Sequence, residues 1–510
     1  MINRNWLRLV FPLLPALVPA TALALPQQSA SAADEEVHSS AAASRPAVPT
    51  LGHVFAFPVA SKSAEAQRLL EAALDQYENA LLDKSVESAH LATEKDPQFA
   101  LAYAVWSFAA RRNQPNPEAT RKAEQLAAHG SSDERLLVKF LTSVQKDDLL
   151  PAITAMNDLL ARFPEDRHTL YLTAEWLYFQ QDYERSTRMM ERITKLAPNF
   201  APAFNMLGYA NVEAGTPDPV KAIAYLKRYA ELESNDPNPE DSLGEVSRYV
   251  GDDQGSITHY RAALAITPTF ITSQVGLGDT YTMMGDFKNA VIEYNKAIAM
   301  AANDRDRLHA EYQLALMRFW QGKSDEGLQA LDAAAKKGEV ARDPYAQFEI
   351  LESRALLDPA LDVQIEKLGQ LEKMFIHPVE GMNEADRNPS LASIWRDQVR
   401  VFAEQQNLKP AWEIIQKLEK LAALSRDLLV ENCYESSRGY VLFAQNDFAN
   451  AAGELSADPR SPLAFRWLAA AREKSGDSKG AESAKLRLKF LRAPTVEWYL
   501  ATHGSAHAGD

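Results

Sequence analysis

Leu277-Gly278, Tyr281, Gly285-Asp286-Phe287, Ala290, Tyr294 and Ala297 form the stretch from which the rest of the chain can be phased. Small and aromatic residues fall here at the spacing of one helix, a tight Gly-Asp turn and a second helix. Thirty-four residues before Gly278 stands Leu243-Gly244, followed by Tyr260, Ala263 and Pro268, and 36 further back stands Leu207-Gly208. The register therefore survives small insertions.

Upstream, Pro164 and Pro198 lie 34 residues apart. Each marks the end of a second helix, because proline lacks the N–H and disfavours the helical region for the residue before it. Ala174, Asp182-Tyr183, Ser186, Met190 and Ile193 fill the small and apolar offsets between them. Degenerate copies centre on Phe140, Ala152, Met156 and Leu159, on Trp106, Ala119, Ala123 and Leu126, and on Ala73, Ala89, Ala92 and Pro97. Downstream the spacing loosens, since Gly322 lies 37 residues after Gly285, with Leu314-Ala315, Gly327, Leu331 and Ala334 around it. Pro344 to Met374 reads as two helices with few signature residues, and His377 to Pro389 as a loop. Three more helical pairs carry Trp395, Val399, Ala411 and Ile415, then Gly439, Asn446-Asp447-Phe448, Ala451 and Leu455, then Leu468-Ala469, Gly476-Asp477, Ala481 and Leu488, with Pro494 closing the last.

The pattern resembles the tetratricopeptide repeat, which implies an all-α, right-handed superhelical solenoid of roughly eleven or twelve antiparallel helix pairs. Small residues let the two helices of a pair approach, and the large Leu, Tyr and Phe fill the gap to the next pair. No pair buries its own apolar face, so neighbours must stack. An ordinary all-helical core would also show Ala and Leu at helical intervals, but not Gly-Asp or Asn-Asp in phase with Leu-Gly. Hydrophobic content of 46% with 24% charged residues over 510 residues suits a solenoid better than one compact core.

The net charge of −15 argues against nucleic acid, whose partners display basic stripes. Arg4 and Arg8 precede an apolar run from Leu9 to Leu25, and Ala22 and Ala24 offer a cleavage site before Leu25, with a second after Ala32. This reads as a secretory signal peptide over 1–24, whose removal takes the formal charge from −15 to −17. The run contains Pro12, Pro15 and Pro19 and is short for a span, so no integral membrane span is expected in the mature chain. Cys433, the single cysteine, cannot form an intramolecular disulfide. A disulfide-free exported helical chain suits a periplasmic or secreted location. The expected division is an Ala/Ser/Pro-rich leader over 25–60, an array over 61–342, a degenerate pair and loop over 343–391, a second array over 392–494 and a tail over 495–510.

His53-Val54-Phe55-Ala56-Phe57-Pro58, Ser63-Ala64-Glu65-Ala66-Gln67 and Asp96-Pro97-Gln98-Phe99-Ala100-Leu101-Ala102-Tyr103 resemble the entry of exported bacterial tetratricopeptide proteins. Ser132-Asp133-Glu134-Arg135-Leu136-Leu137 is weakly similar to arrays attached to bacterial sensor kinases, although no kinase domain follows. The histidines are scattered, and the spaced pair His503 and His507 falls in the tail, so neither a metal nor a cofactor is implied. Gly276-Leu277-Gly278 has no strand before it and reads as packing, and no Walker or nucleophile-elbow motif occurs. Enzyme activity is therefore not expected.

In such arrays the first helix of each pair lines the concave face. Its offsets place His168, Tyr171, Glu175 and Tyr178 in one layer, Asn205 and Tyr209 in the next, then Asp241, Glu245 and Arg248, then Asp279, then His309 and Tyr312. That describes an acidic, tyrosine-rich groove able to receive Lys or Arg from a protein or peptide partner. The competing reading is that the tyrosines pack between adjacent first helices. The carboxylate-clamping Lys, Asn and Arg of chaperone-binding family members do not occur at these offsets. The expected function is a non-catalytic exported scaffold binding through this groove. Alternatives are a component of an envelope assembly or export machine handling polysaccharide or outer-membrane proteins, and, further off, an enzyme with an unrecognised site.

Overall fold

Helices account for every regular element of the computed structural model among the residues it describes, which are 57, 59–111, 116–214, 216–458, 461–490 and 492–503. The signal peptide, nearly all of the leader, and His507 fall outside these residues. Twenty-five helices make twelve antiparallel pairs and one last helix. None is long and apolar enough to cross a membrane.

The pairs are α1 (Ala64–Glu78) with α2 (Leu82–Lys95), α3 (Ala100–Ala110) with α4 (Pro117–Ala127), and α5 (Ser132–Gln145) with α6 (Leu149–Arg162). They continue with α7 (Arg167–Phe179) and α8 (Tyr183–Leu196), α9 (Ala201–Glu213) and α10 (Pro219–Leu232), and α11 (Asn238–Tyr249) and α12 (Asp253–Ile266). Then come α13 (Ile271–Met283) and α14 (Phe287–Met300), α15 (Asp304–Trp320) and α16 (Ser324–Ala341), and α17 (Pro344–Leu356) and α18 (Leu361–Phe375). The series closes with α19 (Glu384–Glu404) and α20 (Leu408–Ser425), α21 (Leu428–Ala444) and α22 (Phe448–Leu455), α23 (Pro462–Lys474) and α24 (Ser478–Lys489), and the unpaired α25 (Val496–His503). Each first helix packs on the second helix of its own pair and on the first helix of the next, which is the stacking of a solenoid.

The recurring Gly-Asp has a local cause. In most pairs a residue just past the first helix turns into the left-handed region, and Gly251, Gly285, Gly322 and Gly476 do so with φ of 84°, 75°, 73° and 86°. The next residue caps the second helix, as where the Asp252 and Asp477 carboxylates accept the backbone N–H groups of Gly255 and Gly480 at 2.9 Å. Gly278 is small because a Cβ there would stand 2.5 Å from the Tyr294 ring, and Gly208 because one would stand 2.5 Å from Leu226. Gly276 likewise backs onto the Tyr260 ring, which confirms its packing role.

Two boundaries differ from expectation. The loop expected over His377 to Pro389 ends at Asn383, whose side chain accepts Asp386 N at 2.9 Å and starts α19 six residues before Pro389. Pro389, the sixth residue of α19, lies beyond the first turn and costs the helix the bond its N–H would have made to Ala385 O, and the helix continues past it. α19 consequently runs unbroken across the 391/392 division. The expected tail is α25 as far as His503, whose ring stacks on Tyr499 with centroids 5.0 Å apart.

The solenoid coils far enough for its later pairs to reach its earlier ones. Asn383 Nδ2 donates to Arg111 O at 2.9 Å, Asn388 Nδ2 to Asp147 Oδ2 at 2.9 Å, Leu428 N to Gln180 Oε1 at 3.0 Å, and Asn432 Nδ2 to Gln181 Oε1 at 3.0 Å. Asp147 and Gln181 are themselves left-handed turn residues, with φ of 57° and 65°. A side chain stands where glycine would be easier because its head reaches the next coil.

Candidate functional site

The inner surface is built by first helices, whose inward positions are polar at every turn yet mostly enclosed. His168, Tyr171, Glu175 and Tyr178 on α7 are all buried, as are Asn205, Tyr209, Asp241, Glu245, Arg248, Asp279 and Tyr312, while His309 is half-buried. These residues are satisfied largely by one another and by their neighbours, in rungs that tie first helix to first helix.

The Tyr178 hydroxyl donates to Glu213 Oε2 at 2.5 Å. One repeat on, the Tyr209 hydroxyl donates to Glu245 Oε2 at 2.9 Å, and the other oxygen of Glu245 accepts the Tyr249 hydroxyl at 2.9 Å and Arg248 Nη2 at 3.3 Å. Arg248 also reaches Asp279 at 3.9 Å, and Asp279 accepts the Tyr294 hydroxyl at 2.8 Å. Ser242 donates to Asn205 Oδ1 at 3.1 Å, Ser273 to Asp241 Oδ1 at 2.5 Å, and Tyr312 shares a 2.8 Å hydrogen bond with Ser353. The packing reading of the tyrosines thus describes this arrangement, but their carboxylate partners are buried acceptors and not solvated ones.

At the N-terminal end the rungs cross the groove. The Tyr77 hydroxyl on α1 donates to Glu175 Oε2 at 2.5 Å, His168 Nδ1 lies 2.6 Å from Glu78 Oε1, and the Tyr171 hydroxyl donates to Glu78 O at 3.2 Å. Asp75, Glu78 and His168 group their ligand atoms within 4.8 Å, as a metal site would. Arg167 already bridges both carboxylates, at 2.9 Å to Asp75 and 3.0 Å to Glu78, so a guanidinium supplies the positive charge. Burial pulls the His168 pKa down, but Glu78 outweighs it and the net shift is upward.

Burial dominates the other titrations. It pushes Asp241 up to about 8 despite the Ser273 hydrogen bond, and it raises Glu245 and Asp279 against the pull of Arg248. His309, its Nδ1 enclosed without a hydrogen-bond partner, is lowered by burial to about 4 and is neutral.

What packs against the ends of the middle first helices is the chain's own end. Arg487 Nη2 donates to Glu213 O at 2.7 Å, and the Arg248 guanidinium reaches Arg492 O at 3.4 Å. Arg492 forks onto Asp253, with Nη2 2.9 Å from Oδ2, and also donates to Met283 O at 3.1 Å. Ala493 joins the apolar cluster of Tyr178, Tyr209 and Tyr249. α25 then lies between the α15 wall, where Tyr499 meets Phe319 and Trp320, and the C-terminal pairs, where Glu497 meets Arg396. The sequence reading puts Arg487 and Arg492 in the array over 392–494 and Glu497 in the tail over 495–510, and gives none of the three a role. The available signal was Glu497-Trp498-Tyr499-Leu500, too apolar and aromatic for a solvated tail.

Residues 271–304 match the tetratricopeptide repeat family. No curated protein matches the chain. The solved structures similar to it include yeast Tom70, at 12% identity over 84% of this chain and 97% of that one with a TM-score of 0.38. A tetratricopeptide repeat protein from Parabacteroides merdae is 14% identical over 56% of this chain and 99% of its own, with a TM-score of 0.35. YrrB, a tetratricopeptide protein with an unusual peptide-binding site, is 20% identical over 44% of this chain and 98% of its own, with a TM-score of 0.27.

Proposed function

Because the chain is a tetratricopeptide-repeat protein, and so a protein-interaction scaffold, we propose that it is a non-catalytic, exported scaffold holding a protein or an extended peptide along its inner face. The observation that supports this reading is that the first helices already hold polypeptide at their ends. Residues 487–490 and 492–503 pack on the ends of first helices with arginine forked onto carboxylate, backbone carbonyls accepting from guanidinium groups, and aromatic side chains between aromatic walls. A surface that satisfies a peptide in cis offers the same donors, acceptors and apolar area in trans. Export is supported by Arg4, Arg8 and the apolar run to Leu25.

Cross-linking mass spectrometry on the tagged full-length protein in intact bacteria tests both parts. The isolated chain is expected to begin at Leu25, and partner cross-links are expected on first helices and on residues 487–503. A chain that still begins at Met1 removes export. Cross-links confined to the second helices remove the inner face.

A further inference from the structure

α25 is held by more directed chemistry than a terminal helix requires. Glu497 is 3% exposed; one carboxylate oxygen takes Arg396 Nη2 at 2.7 Å and the other takes the Ser461 hydroxyl at 2.9 Å. Arg396 is 1% exposed, so the pair is desolvated and selective in direction. Trp498 packs on the cluster of Tyr440, Phe465 and Trp467. On the opposite wall Tyr499 meets Phe319 and Trp320 edge-on, with centroids 5.8 and 4.9 Å apart. Arg466 Nη1 donates to Leu500 O at 2.6 Å and holds the far end.

The occupant fits this seat less well than the seat is built. α25 has eight residues, fewer than the roughly 12–15 that a helix needs to persist by itself in water. Trp498 Nε1, Trp320 Nε1 and the Tyr440 hydroxyl are enclosed without hydrogen-bond partners, and each such group is destabilising because it has lost water without gaining a partner.

We infer that the seat between α15, α19 and α23 is a docking site for a short partner helix bearing a carboxylate followed by two aromatic side chains, and that α25 is its built-in competitor. This rests on the scaffold reading and names its partner class at one position. Asp397, at 3.0 Å, and Asp458, at 3.5 Å, already balance the Arg396 charge, but the Arg396 Nη2 donor at 2.7 Å and the Ser461 hydroxyl at 2.9 Å converge on Glu497 and call for a two-oxygen acceptor between them. The two aromatic walls call for two rings at adjacent positions, one facing each wall. A partner that also satisfied the stranded indole and phenol donors would outcompete the resident helix.

The test uses the full mature chain and a fluorescein-labelled peptide spanning Ala493–His503, read by fluorescence anisotropy. The double variant Glu497→Gln, Trp498→Ala weakens α25 and leaves Arg396, Ser461 and both walls in place. It is expected to bind the peptide at least about ten-fold more tightly than wild type, and a peptide with Gln at the Glu497 position is expected to bind at least about ten-fold more weakly. Equal affinity of the two proteins, or indifference to the carboxylate, overturns the inference. If the double variant loses native helicity, hydrogen exchange on the wild-type chain decides. α25 amides should exchange at least about ten-fold faster than those of α23, and equal protection overturns the inference. A dimer that takes no peptide also overturns it, since copies would then be exchanging the helix. Peptide binding without partner cross-links on first helices would keep this site and remove the broader reading, whereas such cross-links without peptide binding would remove this site alone.

Discussion

Asp241 illustrates how much of the inner face is decided residue by residue. Its carboxyl is buried, hydrogen-bonded by Ser273 and pushed up to about 8, against an ordinary value near 4 when unfolded. A raised carboxyl favours the fold fully below the unfolded pKa and loses that contribution as the pH rises through the folded one. Asp241→Asn is therefore expected to stabilise the chain by about 1 kcal/mol or more at pH 9, with the gain vanishing below about pH 4, as followed by urea melts across that range. Cys433 gives a second check. Burial pushes its thiol up to about 12, so it should resist iodoacetamide in the folded chain and react once the chain is unfolded in denaturant. The offsets located Tyr209 and Glu245 from sequence because both recur with the repeat. That Tyr77 would meet Glu175, 98 residues away, was not legible, since that contact depends on how tightly the coil closes.

At the scale of elements, glycine separates two situations that look alike in sequence. Gly278 on α13 faces Tyr294 so closely that Gly278→Ala should cost about 1–3 kcal/mol through overpacking. Gly369 lies mid-way along α18 with nothing within 4 Å of where a Cβ would stand, so Gly369→Ala should stabilise by about 0.5–1 kcal/mol through helix propensity. Thermal or urea melts of the two variants should move in opposite directions. The in-phase Leu-Gly made the first helix pairs legible, and the recurring Gly-Asp made their turns so. α25 was not legible because it has no paired helix and therefore no repeat to be read against, and the start of α19 was hidden because Pro389 reads as a breaker while the Asn383 cap lies six residues before it.

At the scale of the whole molecule, residues 487–503 join the early and late pairs into one cooperative body. The fork of Arg492 on Asp253 connects positions 239 residues apart, and Arg487 and α25 add contacts on either side. A solenoid without such closure unfolds as a series of neighbouring units. Differential scanning calorimetry is expected to give one transition for wild type and a broadened one for Arg487→Ala, Arg492→Ala, because the early and late pairs would then be coupled only through the stack, α25 and the inter-coil bonds of Asn383, Asn388, Leu428 and Asn432. Long-range closure of this kind depends on coil geometry, which repeat spacing alone does not specify.

Under tension the same fork makes the chain a spring with a snap. Load applied to the two ends would be shared by the Asp253–Arg492 fork and the inter-coil bonds of Asn383, Asn388, Leu428 and Asn432, so the coil that these clasps bypass would carry little of it. The molecule would be short and stiff at low force, then lengthen abruptly when the snap opens, and only after that would the coil itself begin to pay out.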